Sequence, residues 1–117
     1  PEIWLSADPI FNVDEGLTFT IEGCEDAEWY NLWIHDLTNG DIHVFGRDYT
    51  ADGTYTIEPR EFDEYPGWHH AYRLHVDAFA YGYNCSGADA YACSASAERK
   101  ESAPTSGTWF RCICGPT

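Results

Sequence analysis

The stretch Pro66-Gly67-Trp68-His69-His70-Ala71-Tyr72-Arg73-Leu74-His75-Val76-Asp77-Ala78 decides the fold. From Tyr72 every second residue is apolar: Tyr72, Leu74, Val76, Ala78 and, just beyond, Ala80. Between them stand Arg73, His75, Asp77, Phe79 and Tyr81. A period of two is the mark of a β-strand with one face in a core. The Pro-Gly pair ahead of it is a turn signal.

The same alternation recurs on both sides of this run. Leu17, Phe19 and Ile21 alternate with Thr18, Thr20 and Glu22, and in 29–36 Tyr30, Leu32 and Ile34 share a face. Residues 2–7 read as a first strand closed by Asp8-Pro9, with 10–13 continuing it across an edge. Asp52-Gly53 is a turn before a strand that carries Tyr55 and Ile57 and ends at Pro59. Residues 84–89 read as a loop and 90–97 as a strand of small residues. Thr38-Asn39-Gly40 fits a three-residue hairpin loop with Gly40 in the left-handed conformation. That register sets His35 opposite His43, Ile34 opposite Val44 and Trp33 opposite Phe45. Short apolar strands at roughly ten-residue spacing, with no helical period over three turns, predict an all-β sandwich.

The quoted run resembles the penultimate-strand motif of fibronectin type III and bacterial Ig-like domains, in which Pro-Gly precedes Tyr-x-Leu-x-Val-x-Ala. Asp52-Gly53-Thr54-Tyr55-Thr56-Ile57 is similar to the strand before that motif, and Ala80-Tyr81-Gly82-Tyr83 to the strand's end. The resemblance covers about residues 2–97. It implies a two-sheet Ig/FnIII-like sandwich of about seven strands, in which Tyr72 is a tyrosine corner, its hydroxyl bonding backbone a few residues upstream. The gap between Gly67 and Tyr72 is longer than the family turn, and the Cys placement matches no standard Ig bridge. Residues 1–98 form the sandwich and residues 99–117 a linker followed by a C-terminal extension strand.

The chain's 117 residues suit one domain, and 44% hydrophobic residues suffice for a core. No stretch approaches the length of an apolar membrane span. The net charge of −14 argues against nucleic acid and anionic membranes as partners. Nineteen acids face three bases in 1–98, whereas Arg99, Lys100 and Arg111 face only Glu101 in the tail. Five Cys in so short a chain point to an oxidising, extracellular compartment. With no Met and no leader-like segment, the chain reads as a processed mature form or an excised fragment.

Cys24, Cys85, Cys93, Cys112 and Cys114 are the disulfide candidates, and their odd number leaves one free or bonded elsewhere. The Ig-like topology implies Cys24 and Cys85 at one pole; the alternative is Cys85 with Cys93 across the last hairpin. Asn84-Cys85-Ser86 is an N-glycosylation acceptor triplet, placed in a loop. No Gly-x-Ser-x-Gly, HExxH or phosphate-cradling Gly motif is present, so the expectation is no enzyme, no catalytic residues, no metal and no cofactor.

Trp33, His35, His43, Phe45, His75 and Phe79 are expected on one outer sheet face. Such a patch is a candidate interface or a flat platform for sugar rings. In the tail, Trp109, Phe110 and Ile113 make a strand that is apolar on both sides, and such a strand must be sandwiched. The expected function is a structural or interaction module at the cell surface, self-associating into an assembly or filament by C-terminal strand addition. The alternative is a carbohydrate-binding or adhesin module.

Overall fold

In the computed structural model, placement is described for residues 3–23, 26–80 and 83–95, and for short strands at 101–102 and 113–114. Side chains are described for 3–23, 26–80 and 87–95. The strands are β1 (Trp4–Ala7), β2 (Ile10–Asn12), β3 (Leu17–Glu22), β4 (Trp29–Asp36), β5 (Ile42–Tyr49), β6 (Gly53–Ile57), β7 (Ala71–Ala80), β8 (Tyr83–Ala95), β9 (Glu101–Ser102) and β10 (Ile113–Cys114). One 3-10 turn, Pro59–Glu61, follows β6.

Two sheets pack as a sandwich. One is antiparallel with order β1-β3-β6; the other has order β2-β8-β7-β4-β5. Leu17, Phe19, Ile21 and Ile57 project inward from the first and are at most 1% exposed. They meet Leu32, Ile34, Leu74, Val76 and Tyr72 from the second, all at most 2% exposed. The Thr residues between them face out, where Thr18 bonds Thr56 and Thr20 bonds Thr54, each at 2.8 Å. Alternation in the sequence thus becomes a dry layer between two polar-faced sheets.

The N-terminal segment serves both sheets. Asp8 N–H still donates to Thr18 in the first sheet, at 3.0 Å. One residue later the Pro9 carbonyl accepts from Cys93 N–H at 2.8 Å, in the second. Proline fixes φ and has no N–H to pair, which suits a residue at the crossing. β2 then runs parallel to β8 through Ile10–Cys93, Phe11–Ser94 and Asn12–Ala95. Every other pairing among the described residues is antiparallel.

Two local expectations are corrected. The β4–β5 hairpin does keep His35 opposite His43, with Gly40 at φ +73°, but a bulge then sets Ile34 opposite Phe45 and Trp33 opposite Gly46. Val44 and Phe45 are both buried, at 2% and 3%, so Phe45 belongs to the core and not to the outer face. Its ring lies 6.0 Å from that of Phe62, centroid to centroid. Second, residues 84–89 are not a loop: β8 runs unbroken from Tyr83 to Ala95, hydrogen-bonded along β7. In the C-terminal stretch β10 pairs antiparallel with β9, Ile113 opposite Ser102 and Cys114 opposite Glu101.

Candidate interaction face

The outward face of the five-stranded sheet gathers the polar and aromatic residues that alternate with the core. Register decides who meets whom. Trp29 pairs Phe79, Trp33 pairs His75 and His35 pairs Arg73 across β4 and β7. Asp89 pairs His75 and Tyr91 pairs Arg73 across β7 and β8.

At one end of the face, Trp29 and Phe79 stack with centroids 5.1 Å apart and planes 12° apart, and Trp29 remains 38% exposed. In the middle, Trp33 is ringed by His35 at 4.2 Å and His75 at 4.9 Å, with the Arg73 guanidinium 5.2 Å over its ring. A cation over an indole face is attracted by the ring quadrupole. His43 meets His35 edge-on at 5.5 Å.

Carboxylates hold this cluster in place. His75 Nδ1 lies 2.8 Å from Asp89 Oδ1, and Nε2 lies 3.0 Å from Asp77 Oδ1. His75 is thus held between two carboxylates, one on its own strand and one on β8. Arg73 Nε donates to the same Asp89 oxygen at 3.0 Å. Burial works to raise the Asp89 carboxyl, but the hydrogen bonds from His75 and Arg73 outweigh it and hold Asp89 below the usual carboxylate range. His35 Nδ1 sits 3.2 Å from Asp41. Gly87 makes room for the cluster: a Cβ there would stand 2.5 Å from Asp77 Oδ1 and 2.9 Å from His75 Cε1. Beside it, Leu37, Asp41, Arg73, Asp89 and Tyr91 line a small hollow.

His35 meets His43, while His35 and His75 each meet Trp33, and carboxylates engage His35 and His75. Among the described residues no group of three His, Cys, Asp or Glu side chains is set to hold a metal ion.

A second polar cluster closes one pole of the sandwich. Asp36, 4% exposed, accepts from the Thr38 and Asn39 amides at 3.1 Å each, and its other oxygen lies 2.7 Å from His70 Nδ1. The Thr38 hydroxyl accepts from Ala71 N–H at 2.9 Å. Tyr72 reaches the backbone of Gly67 upstream and the hydroxyl of Ser94, which is itself fully buried and donates to the Gly67 carbonyl. Burial, with the Asp36 charge second, pushes the Tyr72 hydroxyl far above its ordinary value. His70 is thus engaged by the buried Asp36 carboxylate.

Of the expected face residues, Trp33, His35, His43, His75 and Phe79 fall on one sheet surface. Trp109, Phe110 and the side chain of Ile113 lie outside the described residues, as do Cys24, Cys112 and the side chains of Cys85 and Cys114. Cys93 is fully buried on β8. Asn84 lies in β8 opposite Phe79, not in a loop. The sequence reading missed Arg73, Asp77 and Asp89 as members of the site. Arg73 and Asp77 were legible, being two residues either side of His75 on one strand; Asp89 was not, because its strand was read as a loop.

Compared with protein-family models, curated proteins and solved structures, the chain matches none of them. Fold and site together define a class: a two-sheet β-sandwich that presents an aromatic, histidine- and arginine-bearing sheet face pinned by carboxylates.

Proposed function

We propose that this chain is a non-catalytic, extracellular interaction module of Ig-like type. It takes part in a surface assembly through the outer face of its five-stranded sheet, with the β9–β10 ribbon as the element that adds to a neighbour. The single observation that carries this reading is the face itself. Trp29, Trp33, His35, Arg73, His75 and Phe79 lie side by side, ordered by hydrogen bonds to Asp41 in the hairpin turn, Asp77 on the same strand and Asp89 on β8. A surface rich in aromatics and Arg, with its rotamers already fixed, loses little entropy on contact. The order β1-β3-β6 against β2-β8-β7-β4-β5, with Tyr72 at its corner, supports the Ig-like assignment. An oxidising compartment is supported by five Cys in so short a chain.

Light scattering across a concentration series tests it. The full chain is expected to self-associate, and Trp33→Asp with Phe79→Asp to leave a folded monomer. A full chain that stays monomeric at high concentration and binds no protein from its native surface sinks the reading.

One observation favours a second reading, carbohydrate binding. The parallel Trp29–Phe79 pair, partly exposed, is a flat apolar platform of the kind that stacks on sugar rings. Glycan binding that disappears in Trp29→Ala, with thermal stability retained, would favour it; unchanged binding would remove it.

A further inference from the structure

We infer that the hollow lined by Leu37, Asp41, Arg73, Asp89 and Tyr91 is a binding site for one neutral sugar ring, the hexose or N-acetylhexosamine unit of a glycan. The inference rests on the second reading above for its ligand class, but on different residues for its site. A partner at a cell surface offers both protein and glycan, so the hollow adds to the neighbouring face and does not compete with it.

The hollow follows from strand register. His35, Arg73 and Tyr91 stand in one row across β4, β7 and β8. His35 Nδ1 reaches Asp41 in the hairpin turn. Leu37 stands two residues beyond His35, and Asp89 two residues before Tyr91, which closes the sides. The space is partly enclosed and measures about 240 Å³. Sites for drug-sized ligands run from about 300 to 1,000 Å³, so this one suits a single ring.

The lining selects by charge. The carboxylates of Asp41 and Asp89 repel an anion, and the Arg73 guanidinium repels a cation. Asp89 is held below the usual carboxylate range by His75 and Arg73, so it stays an acceptor at neutral pH. A wholly apolar group would leave these polar walls without partners. What fits is a neutral molecule with donors and acceptors on adjacent atoms and one apolar face. A sugar ring has both: its hydroxyls donate to carboxylates and accept from N–H groups, and its C–H face packs on an aromatic ring. Arg73 offers a planar fork of N–H donors, of which Nε serves Asp89. His75 and Arg73 both meet Asp89 at Oδ1, and a carboxylate accepts at two oxygens. Half-buried Tyr91 and Leu37 supply the apolar surface.

These side chains are fixed before any ligand arrives. Arg73 is tied to Asp89 and lies 5.2 Å over the Trp33 ring. Asp89 is tied in turn to His75, and His75 to Asp77. Prior ordering lowers the entropy cost of binding, which weighs most for a ligand too small to bury much surface. The Trp29–Phe79 pair lies six residues further along β7, about 20 Å from Arg73, and is a separate station.

Saturation-transfer NMR of the full chain tests this with the methyl glycosides of glucose, galactose, mannose and N-acetylglucosamine, and with glucosamine and glucuronate as charged counterparts. At least one neutral glycoside is expected to bind, and both charged sugars to bind more weakly. Asp41→Gly removes an acceptor at a residue whose φ of +58° glycine adopts without strain. Arg73→Gln removes the guanidinium. Each is expected to weaken binding about tenfold or more, the loss of one charge-assisted hydrogen bond. Trp4→Ser, at an exposed position on the other sheet, leaves binding unchanged. Circular dichroism checks that each variant is folded, and Asp41→Gly alone decides if Arg73→Gln is not. No transfer to any neutral glycoside, tighter binding of either charged sugar, or undiminished binding in either folded variant overturns the inference. Binding lost in Trp29→Ala but kept in Asp41→Gly also overturns it, and leaves the Trp29–Phe79 platform as the sugar site. None of these outcomes bears on self-association, which light scattering decides.

Discussion

Tyr72 and Asp89 show how single groups tie the fold to pH. Tyr72 is 2% exposed and its hydroxyl is held far above the ordinary tyrosine value by burial. A raised folded value means its stabilising share is whole below the unfolded value of about 10 and is lost as pH rises toward the folded one. Tyr72→Phe is expected to cost about 0.5–1.5 kcal/mol at neutral pH, through the lost hydrogen bonding of its hydroxyl with Ser94 and the Gly67 backbone, and to flatten the alkaline limb of stability in urea titrations. Asp89 has the opposite sign. Its lowered folded value gives a contribution present above about pH 4 and lost as pH falls through the folded one. Asp89 is more than a third exposed, so Asp89→Asn is expected to cost at most about 1 kcal/mol at pH 7 and to make acid unfolding less steep. Tyr72 was legible in sequence because Pro-Gly and a period of two announce it. Asp36 and His70 were not, since nothing local says that two loops distant in sequence share one buried carboxylate.

At the scale of the strand, the β4–β5 bulge changes which residues are structural. The turn chemistry at Gly40 predicted the pairing up to His35 and His43. Beyond it, Val44 and Phe45 are consecutive apolar residues, and one extra residue lets both enter the core. A regular ladder would have had to expose one of them, and burial outweighs one lost ladder bond. Phe45→Ala is therefore expected to destabilise by about 3–5 kcal/mol in chemical denaturation, and Trp33→Ala by roughly 1 kcal/mol. Equal costs would contradict the bulged register. β8 was misread for a related reason: Ser, Gly, Asp and Ala look like a loop, but β7 alongside supplies the pairing that propensity does not.

For the molecule as a whole, the acidic excess is the main long-range force. Nineteen acids in 1–98 repel one another, against three bases; among the described residues Arg47, Arg60 and Arg73 pair with Glu61, Glu58 and Asp89. Screening should relieve that repulsion. The midpoint of thermal unfolding at pH 7 is expected to rise by a few degrees between low and high sodium chloride; a fall would mean that the Arg47–Glu61 and Arg73–Asp89 pairs dominate. The sandwich class was legible because alternation needs only the sequence. The parallel β2–β8 pairing was not, because it depends on where the chain crosses between sheets.

That crossing bears on how the domain carries load. Tension between the start of β2 and the end of β8 drags two side-by-side, codirectional strands past each other lengthwise, so their cross-links are strained together and do not open one after another like a zipper. A linker-mounted domain pulled from both ends in a single-molecule experiment should resist abruptly, then yield in one step as the Ile10–Asn12 segment lets go.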